Sequence, residues 1–255
     1  MKKILLAAPV RQSADVFEEY QKGLDRMIIP EGYSVDRFFI VNDCPEVEPI
    51  IRNAAYIIHD TDDEYIKLQN DHLWTEENVN KMSDLRNMTI FYAMRNGYDY
   101  LLSVDTDLVL DPHTLEWLLK ADKDIVSEAF WTRSDSGTWS NSWMYDQSES
   151  MGMTDKWREP GLYQVGFTGA LILISRRVFE AGVSYARIPN IRRAVFGEDR
   201  HFCIRAACAG FTIWMDTHAP ATHLYTRDAY EAYMEKQRGE GNGKQCGTDG
   251  GKTGT

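Results

Sequence analysis

The sequence predicts an α/β protein, a single domain built on a mostly parallel sheet with helices on both faces. Three observations predict it. Short apolar runs alternate with segments of helical period along most of the chain. The runs are apolar at consecutive positions rather than at every second one, which marks strands buried on both faces. The 255 residues, 43% of them hydrophobic, are enough for one large core.

The first run, Lys3-Ile4-Leu5-Leu6-Ala7-Ala8, reads as a strand stopped by Pro9. A secretory leader would begin the same way, but an apolar stretch of about five residues falls short of the roughly 7–15 of a secretory core. Residues 14–28 carry apolar side chains at helical spacing behind Ser13, a residue type that caps helices. Phe38-Phe39-Ile40-Val41 ends a second strand over 34–41, and Asn42-Asp43-Cys44-Pro45 turns the chain. A short helix near 46–54 leads to a third strand, 55–58. Residues 60–79 are polar and read as irregular. Residues 80–96 read as a helix stopped by Gly97, and Tyr100-Leu101-Leu102-Ser103-Val104 as the next strand. Asp111-Pro112 opens a helix over 112–121, and 123–127 returns as a strand.

Residues 130–162 have no sustained period and read as a long loop or small insertion over the site, a lid, because long irregular segments in compact domains tend to be functional. Strand character returns over 163–174, followed by a short helix from Ser175 to Ala181. A helix over 198–209, a strand over 211–215 and a polar helix over 226–237 complete a domain of residues 1–238. Residues 239–255 offer nothing to bury and read as a disordered tail.

Charge narrows the function classes. With 39 acidic and 28 basic residues the net charge is -11, which suits a divalent cation better than a nucleic-acid backbone. Cys44, Cys203, Cys208 and Cys246 have neither zinc nor redox spacing and read as free thiols of a cytoplasmic protein. No run approaches the ~20 apolar residues of a membrane span, so no integral membrane segment is expected.

Ser103-Val104-Asp105-Thr106-Asp107 is the sharpest local signal. A buried strand delivers two carboxylates at its C-terminal end, the edge where open α/β sheets bind ligands. Two carboxylates there need a cation to relieve their repulsion, and oxygen ligands suit Mg²⁺ or Mn²⁺. Asp60-Thr61-Asp62 repeats the letters but enters a polar stretch with no other matching parts, and reads as a solvated loop.

These parts, in this order, resemble a glycosyltransferase of the GT-A fold, nearest to family 2 and its relatives, over residues 3–225. The resemblance implies that Pro9, Val10 and Arg11 line a nucleotide pocket and that Asp43 contacts base or ribose. The family's Asp-Asp-Gly-Ser string is replaced here by Asn42-Asp43-Cys44-Pro45. Arg86-Asn87 matches the start of a family helix, where an Arg either pairs with the donor diphosphate or holds the acidic cluster. Asp105 and Asp107 match the metal motif, with Asp105 also on the sugar side and His223 as third ligand; His218 is the competing choice. Gly169, in Gly166-Phe167-Thr168-Gly169, lets donor and acceptor approach the backbone. Asp199, in Gly197-Glu198-Asp199, matches the general base of an inverting transfer, and Glu198 a contact to acceptor or sugar. Arg200-His201 stands where an acid-leucine pair is commoner.

The implied reaction is metal-dependent transfer of a hexose-like sugar from a nucleoside-diphosphate sugar to an acceptor hydroxyl on a glycan, lipid or protein. A modified nucleic acid is disfavoured by the acidic balance. Trp131, Trp139, Trp143 and Trp157 fall in a polar segment that suits sugar stacking or, equally, a small satellite core. Three rivals remain. Asp105-Thr106-Asp107-Leu108-Val109 fits a haloacid-dehalogenase-type phosphatase with Asp105 as nucleophile, although there the string ends the first strand. A nucleotidyltransferase would open with a glycine-rich loop, which Ala7-Ala8-Pro9-Val10-Arg11 lacks. A non-catalytic sugar-binding module would keep the fold without turnover.

Overall fold

A computed structural model describes residues 1–61, 75–134, 137–145, 153, 155–191 and 197–243. At its centre is β1 (Lys2–Val10), in which every residue from Ile4 to Ala8 is fully buried. Each such Leu or Ile contributes about 1.5–3 kcal/mol over exposure. The consecutive apolar run reflects layers on both sides: α1 (Ala14–Arg26) packs Phe17 and Tyr20 against Phe39, while α2 (Glu76–Arg95) covers the opposite face.

Further strands are β2 (Tyr33–Val41), β3 (Ala55–Ile58), β4 (Tyr100–Val104), β5 (Leu108–Val109), β6 (Ile125–Ser134), β7 (Gly137–Ser140) and β8 (Ser142–Trp143). They are followed by β9 (Leu162–Val165), β10 (Phe167–Thr168), β11 (Leu171–Ser175) and β12 (Ile213–His223). The remaining helices are α3 (Thr114–Lys120), α4 (Arg176–Glu180), α5 (Asp199–Cys208) and α6 (Arg227–Gly243).

The strand order is β3-β2-β1-β4-β11-β6-β12-β5. The β3-β2-β1-β4 half is parallel, as is β6 with β12, while β11 runs antiparallel between β4 and β6. The mostly parallel sheet flanked by helices is therefore the predicted one. Its C-terminal edge gathers the ends of β1 and β4, the lead into β11 and the outer part of β6.

Several boundaries differ from the sequence reading. Pro9 does not stop β1, which runs to Val10. Pro9 pairs with Ile40 of β2, while β4 reaches only Ala7, so the missing N–H falls where that neighbour has ended. Ser13 occupies the N-cap of α1 but makes no side-chain cap bond. Thr75 does cap α2, accepting from the Asn78 N–H at 3.1 Å, so that helix starts at Glu76, before residue 80. Residues 62–74 of the predicted irregular stretch lie outside the described residues, Asp62 among them.

The 130–162 segment is more regular than predicted: β6 extends to Ser134 and turns back through β7. The strand over 163–174 is broken into β9, β10 and β11. The strand over 211–215 continues as β12 to His223, with a register shift between Asp216 and Ala221. Helix α6 passes residue 238 and reaches Gly243; the rest of the predicted tail lies outside the described residues. Cys44, Cys203 and Cys208 are free. Among the described residues no helix is long and apolar enough to cross a membrane.

Candidate active site

A cleft of about 300 Å³ opens at that edge, lined by residues from strands distant in sequence. Pro9, Val10 and Arg11 come from the end of β1. Asp105 and Asp107 follow β4, Gly169 and Ala170 precede β11, Asp199 opens α5, and His223 ends β12. Eight of the sequence-predicted residues thus share one cavity. Asp43, Arg86 and Glu198 stand behind its wall.

Asp107 and His223 meet because β5 pairs with the end of β12, setting Leu108 opposite His223. The Leu224 N–H donates to the Asp107 carbonyl at 2.8 Å, and His223 Nε2 lies 3.3 Å from Asp107 Oδ2. Thr132 of β6 holds the other ring nitrogen, Oγ1 to Nδ1 at 2.9 Å, and Phe130 packs edge-on at 4.7 Å. The Thr132 hydroxyl can accept from Nδ1–H, the tautomer that leaves Nε2 able to ligate. His218 does not line the cleft. It stacks on Trp117 at 4.0 Å and pairs with Asp216 at 3.1 Å.

Asp105 is engaged differently. Arg86, 3% exposed, donates to Asp105 Oδ1 at 2.8 Å and Oδ2 at 3.1 Å, to Glu198 Oε1 at 2.8 Å and to Ser103 Oγ at 3.3 Å. All three guanidinium nitrogens are spent inside the protein. Of the two roles open to Arg86, the geometry shows the one that holds the acidic cluster. Burial pushes Asp105 up to about 6, aided by the charge of Asp107 and opposed by Arg86.

Glu198, expected to contact acceptor or sugar, does not line the cleft. Its side chain is 5% exposed and faces Arg86, because the first turn of α5 is anchored inward by that ion pair. Nor do Asp105, Asp107 and His223 close as a ready three-ligand set: among the described residues no group of three or more His, Cys, Asp or Glu is arranged to hold a metal. Asp107 and His223 are the adjacent pair. One carboxylate and one imidazole fit Mn²⁺ or Mg²⁺ that draws its other ligands from phosphates and water.

Asp199 lies against Gly169. A Cβ on Gly169 would stand 2.0 Å from Asp199 Oδ2, so the close approach requires glycine. The next residue, Ala170, takes φ +66°, an uncommon backbone for a side-chain-bearing residue, and its carbonyl accepts from the Asp105 N–H at 2.8 Å. Burial raises Asp199 well above the ordinary carboxylate range, with the Glu198 charge adding and Arg86 opposing. Among the described residues Asp199 Oδ1 has no hydrogen-bond partner.

At the β1 end Asp43 adopts φ +48° and accepts from the Thr61 N–H at 2.6 Å, Thr61 Oγ1 at 2.8 Å and Lys81 Nζ at 2.9 Å, with Arg11 at 3.4 Å. Burial alone would raise Asp43, but the bonds from Lys81 and Thr61 outweigh it and hold the carboxyl well below the usual range. Asp43 orders Arg11 and Lys81, both of which line the cleft.

Sequence reading missed Thr132, Lys81 and Asn141. Lys81 carried a signal, since Asn78, Lys81, Met82 and Leu85 recur at helical spacing and line the cleft together. Thr132 and Asn141 had none. The phosphatase reading loses its nucleophile to geometry, because both oxygens of Asp105 accept from Arg86 and three strands precede its own.

No family model and no curated protein matches the chain. Solved structures do. S. aureus TarS matches with a TM-score of 0.50 at 12% identity, over 87% of this chain and 36% of that one. The mixed α/β architecture and this likeness define a GT-A-like glycosyltransferase fold. TarS residues 1–349 in complex with UDP-GlcNAc match with a TM-score of 0.49 at 11% identity, over 87% and 57% of the two chains. The mannosyltransferase PcManGT from Pyrobaculum calidifontis, in complex with GDP-Man and Mn²⁺, matches with a TM-score of 0.48 at 12% identity, over 90% and 59%. The chain therefore spans less than two thirds of the length of each structure.

Proposed function

We propose that the protein is a glycosyltransferase that moves a hexose-like sugar from a nucleoside-diphosphate sugar to an acceptor hydroxyl. The observation that carries the reading is the shared cleft, where the Asp107–His223 pair and Asp199 flank Gly169 and Ala170. Pro9, Val10 and Arg11 are the proposed wall for the nucleotide, with Arg11 and Lys81 offering positive charge. Asp107 and His223 would hold Mn²⁺ or Mg²⁺, which when bound neutralises charge on the departing diphosphate. Asp105 stays with Arg86, facing ribose or sugar.

Asp199 takes the acceptor proton, the acceptor oxygen bonds to the anomeric carbon, and the bond from that carbon to the diphosphate oxygen breaks. Its raised proton affinity makes Asp199, once ionised, a stronger base than a solvated carboxylate. A base opposite the leaving group implies inversion, which NMR of the product's anomeric centre tests directly; a retained configuration removes Asp199 from that role. The free thiols accord with the proposed cytoplasmic setting.

Thermal denaturation with a panel of nucleoside diphosphates, with and without Mn²⁺, tests the donor site. A ligand at ~100 times its dissociation constant adds about 2.7 kcal/mol, which at this size is roughly 5–11 °C. The shift should need Mn²⁺ and vanish in Asp107→Ala and His223→Ala. No shift with any diphosphate would refute the donor assignment. Asp199→Asn should keep that shift and lose about 10²–10⁴-fold in turnover; unchanged turnover would rule out Asp199 as the base.

A further inference from the structure

The cleft has a direction that follows from strand order. Across the sheet come Pro9–Arg11 at β1, Asp105 and Asp107 after β4, Gly169 before β11, and then the outer part of β6 with its hairpin partner β7. A donor laid base-first along this order brings its sugar to Gly169 and Asp199. The ground beyond belongs to the acceptor.

Two indoles line the cleft there, Trp139 and Trp143. Trp139 pairs across the β6–β7 hairpin with Thr132, the residue that holds His223. Directly opposed residues share a face of the ribbon, so Trp139 belongs on the His223 side. Trp143 pairs with Phe167 and stacks on it at 5.3 Å and 22°, two residues before Gly169. Ser140 and Asn141 stand between the two indoles and also line the cleft. Asn141 is locked by its own bonds, accepting from the Phe130 N–H at 3.1 Å and donating to the Glu128 carbonyl at 3.1 Å. The site therefore sets aromatic surface beside polar side chains next to the reacting carboxylate.

The other two tryptophans of the segment are used elsewhere. Trp157 is 2% exposed, and Trp131 lies under the Arg158 guanidinium at 4.1 Å. Neither lines the cleft.

We propose that Trp139 and Trp143 form the acceptor platform and that the acceptor is a carbohydrate, with a pyranose ring against the indoles and one hydroxyl presented to Asp199. A pyranose has an apolar C–H face and a polar rim, the combination that this end of the cleft offers. A long acyl or prenyl chain would need an unbroken apolar path, but Thr132, Ser140, Asn141 and Asp199 interrupt the aromatic surface. The inference rests on the glycosyltransferase reading, which supplies the donor and the bond to the anomeric carbon.

The test uses the full chain and methyl α- and β-pyranosides of glucose, galactose, mannose and N-acetylglucosamine. Binding is read by saturation-transfer NMR, alongside the thermal shift with nucleoside diphosphate and Mn²⁺. At least one pyranoside should receive saturation at its ring C–H protons. Trp139→Ala should weaken that binding about tenfold, Trp139→Phe should restore part of it, and Trp131→Ala should leave it unchanged. The diphosphate shift in Trp139→Ala verifies that the variant is folded. A diphosphate shift with no pyranoside binding, or with binding indifferent to Trp139, overturns the platform and leaves the transferase reading standing. Pyranoside binding without any diphosphate shift keeps the sugar site but overturns its role as an acceptor site.

Discussion

At Gly169 the room for a side chain is already taken by Asp199. The atom that a Cβ would meet is the far end of a side chain rather than backbone, so Gly169→Ala can be accommodated by turning the carboxylate aside. The expected result is a folded protein in which the proposed base is displaced. Displacement by about 1 Å costs on the order of 10²-fold in rate, while the melting point should move by only a few degrees. Assaying transfer beside a thermal scan checks this, and full activity in Gly169→Ala would show that the carboxylate position is immaterial. The same logic separates Glu198 from its neighbour. One residue apart at the start of one helix, Asp199 lines the cleft and Glu198 is sealed against Arg86.

At the scale of the element, β12 and β6 bring two buried carboxyls together just before the irregularity of β12. Asp216 sits in register with Glu128 of the parallel strand β6, and the two are 2% and 0% exposed. The Ala219 N–H, inside the irregular stretch, donates to Glu128 Oε1 at 3.2 Å, and Asp216 takes the His218 N–H at 2.9 Å. This is the stretch that realigns the strand so that His223 can meet Asp107. Burial, with the charge of Asp216 added, pushes Glu128 up from 4.5 to about 9. The folded state thus holds the proton more tightly than the unfolded chain. Its contribution to stability is complete below about pH 4.5 and is lost as pH rises toward about 9. Glu128→Gln keeps a neutral group in place and removes that decline. Thermal scans from pH 5 to pH 9 should find the variant gaining on wild type as pH rises. A constant difference would show that Glu128 does not titrate in this window.

On the whole-molecule scale, the acidic end of the site is held by a residue from another layer. Arg86 on α2 spans to Asp105 after β4 and to Glu198, which is 112 positions away in sequence. Removing one partner of such a buried network leaves uncompensated charge, at a cost of about 3–5 kcal/mol. Arg86→Met should therefore lower the melting point by roughly 6–20 °C and reduce turnover in whatever fraction stays folded. A loss of activity with stability intact would instead point to Arg86 touching the substrate. Calorimetry and a donor-turnover assay on one preparation distinguish the two.

The sequence by itself determined the strand framework, because burial on both faces demands consecutive apolar residues such as Ile4 to Ala8. It also named most of the residues that line the candidate site. Asp105 and Asp107 were legible because a buried strand delivered them, and Asp199 and His223 because they stood in order with other parts. Boundaries were less legible where local signals competed with neighbours: Pro9 remains in β1 because β4 has already ended beside it. Only the tertiary structure decided which residues work together. His223 rather than His218 joins Asp107 because β5 pairs with the end of β12. Arg86 and Glu198 neutralise each other inside the wall, and two of four tryptophans reach the cleft while Trp157 becomes core. These are outcomes of contacts between residues far apart in the chain. Periodicity reports which face of an element is buried, but not which residue of another element it will meet there.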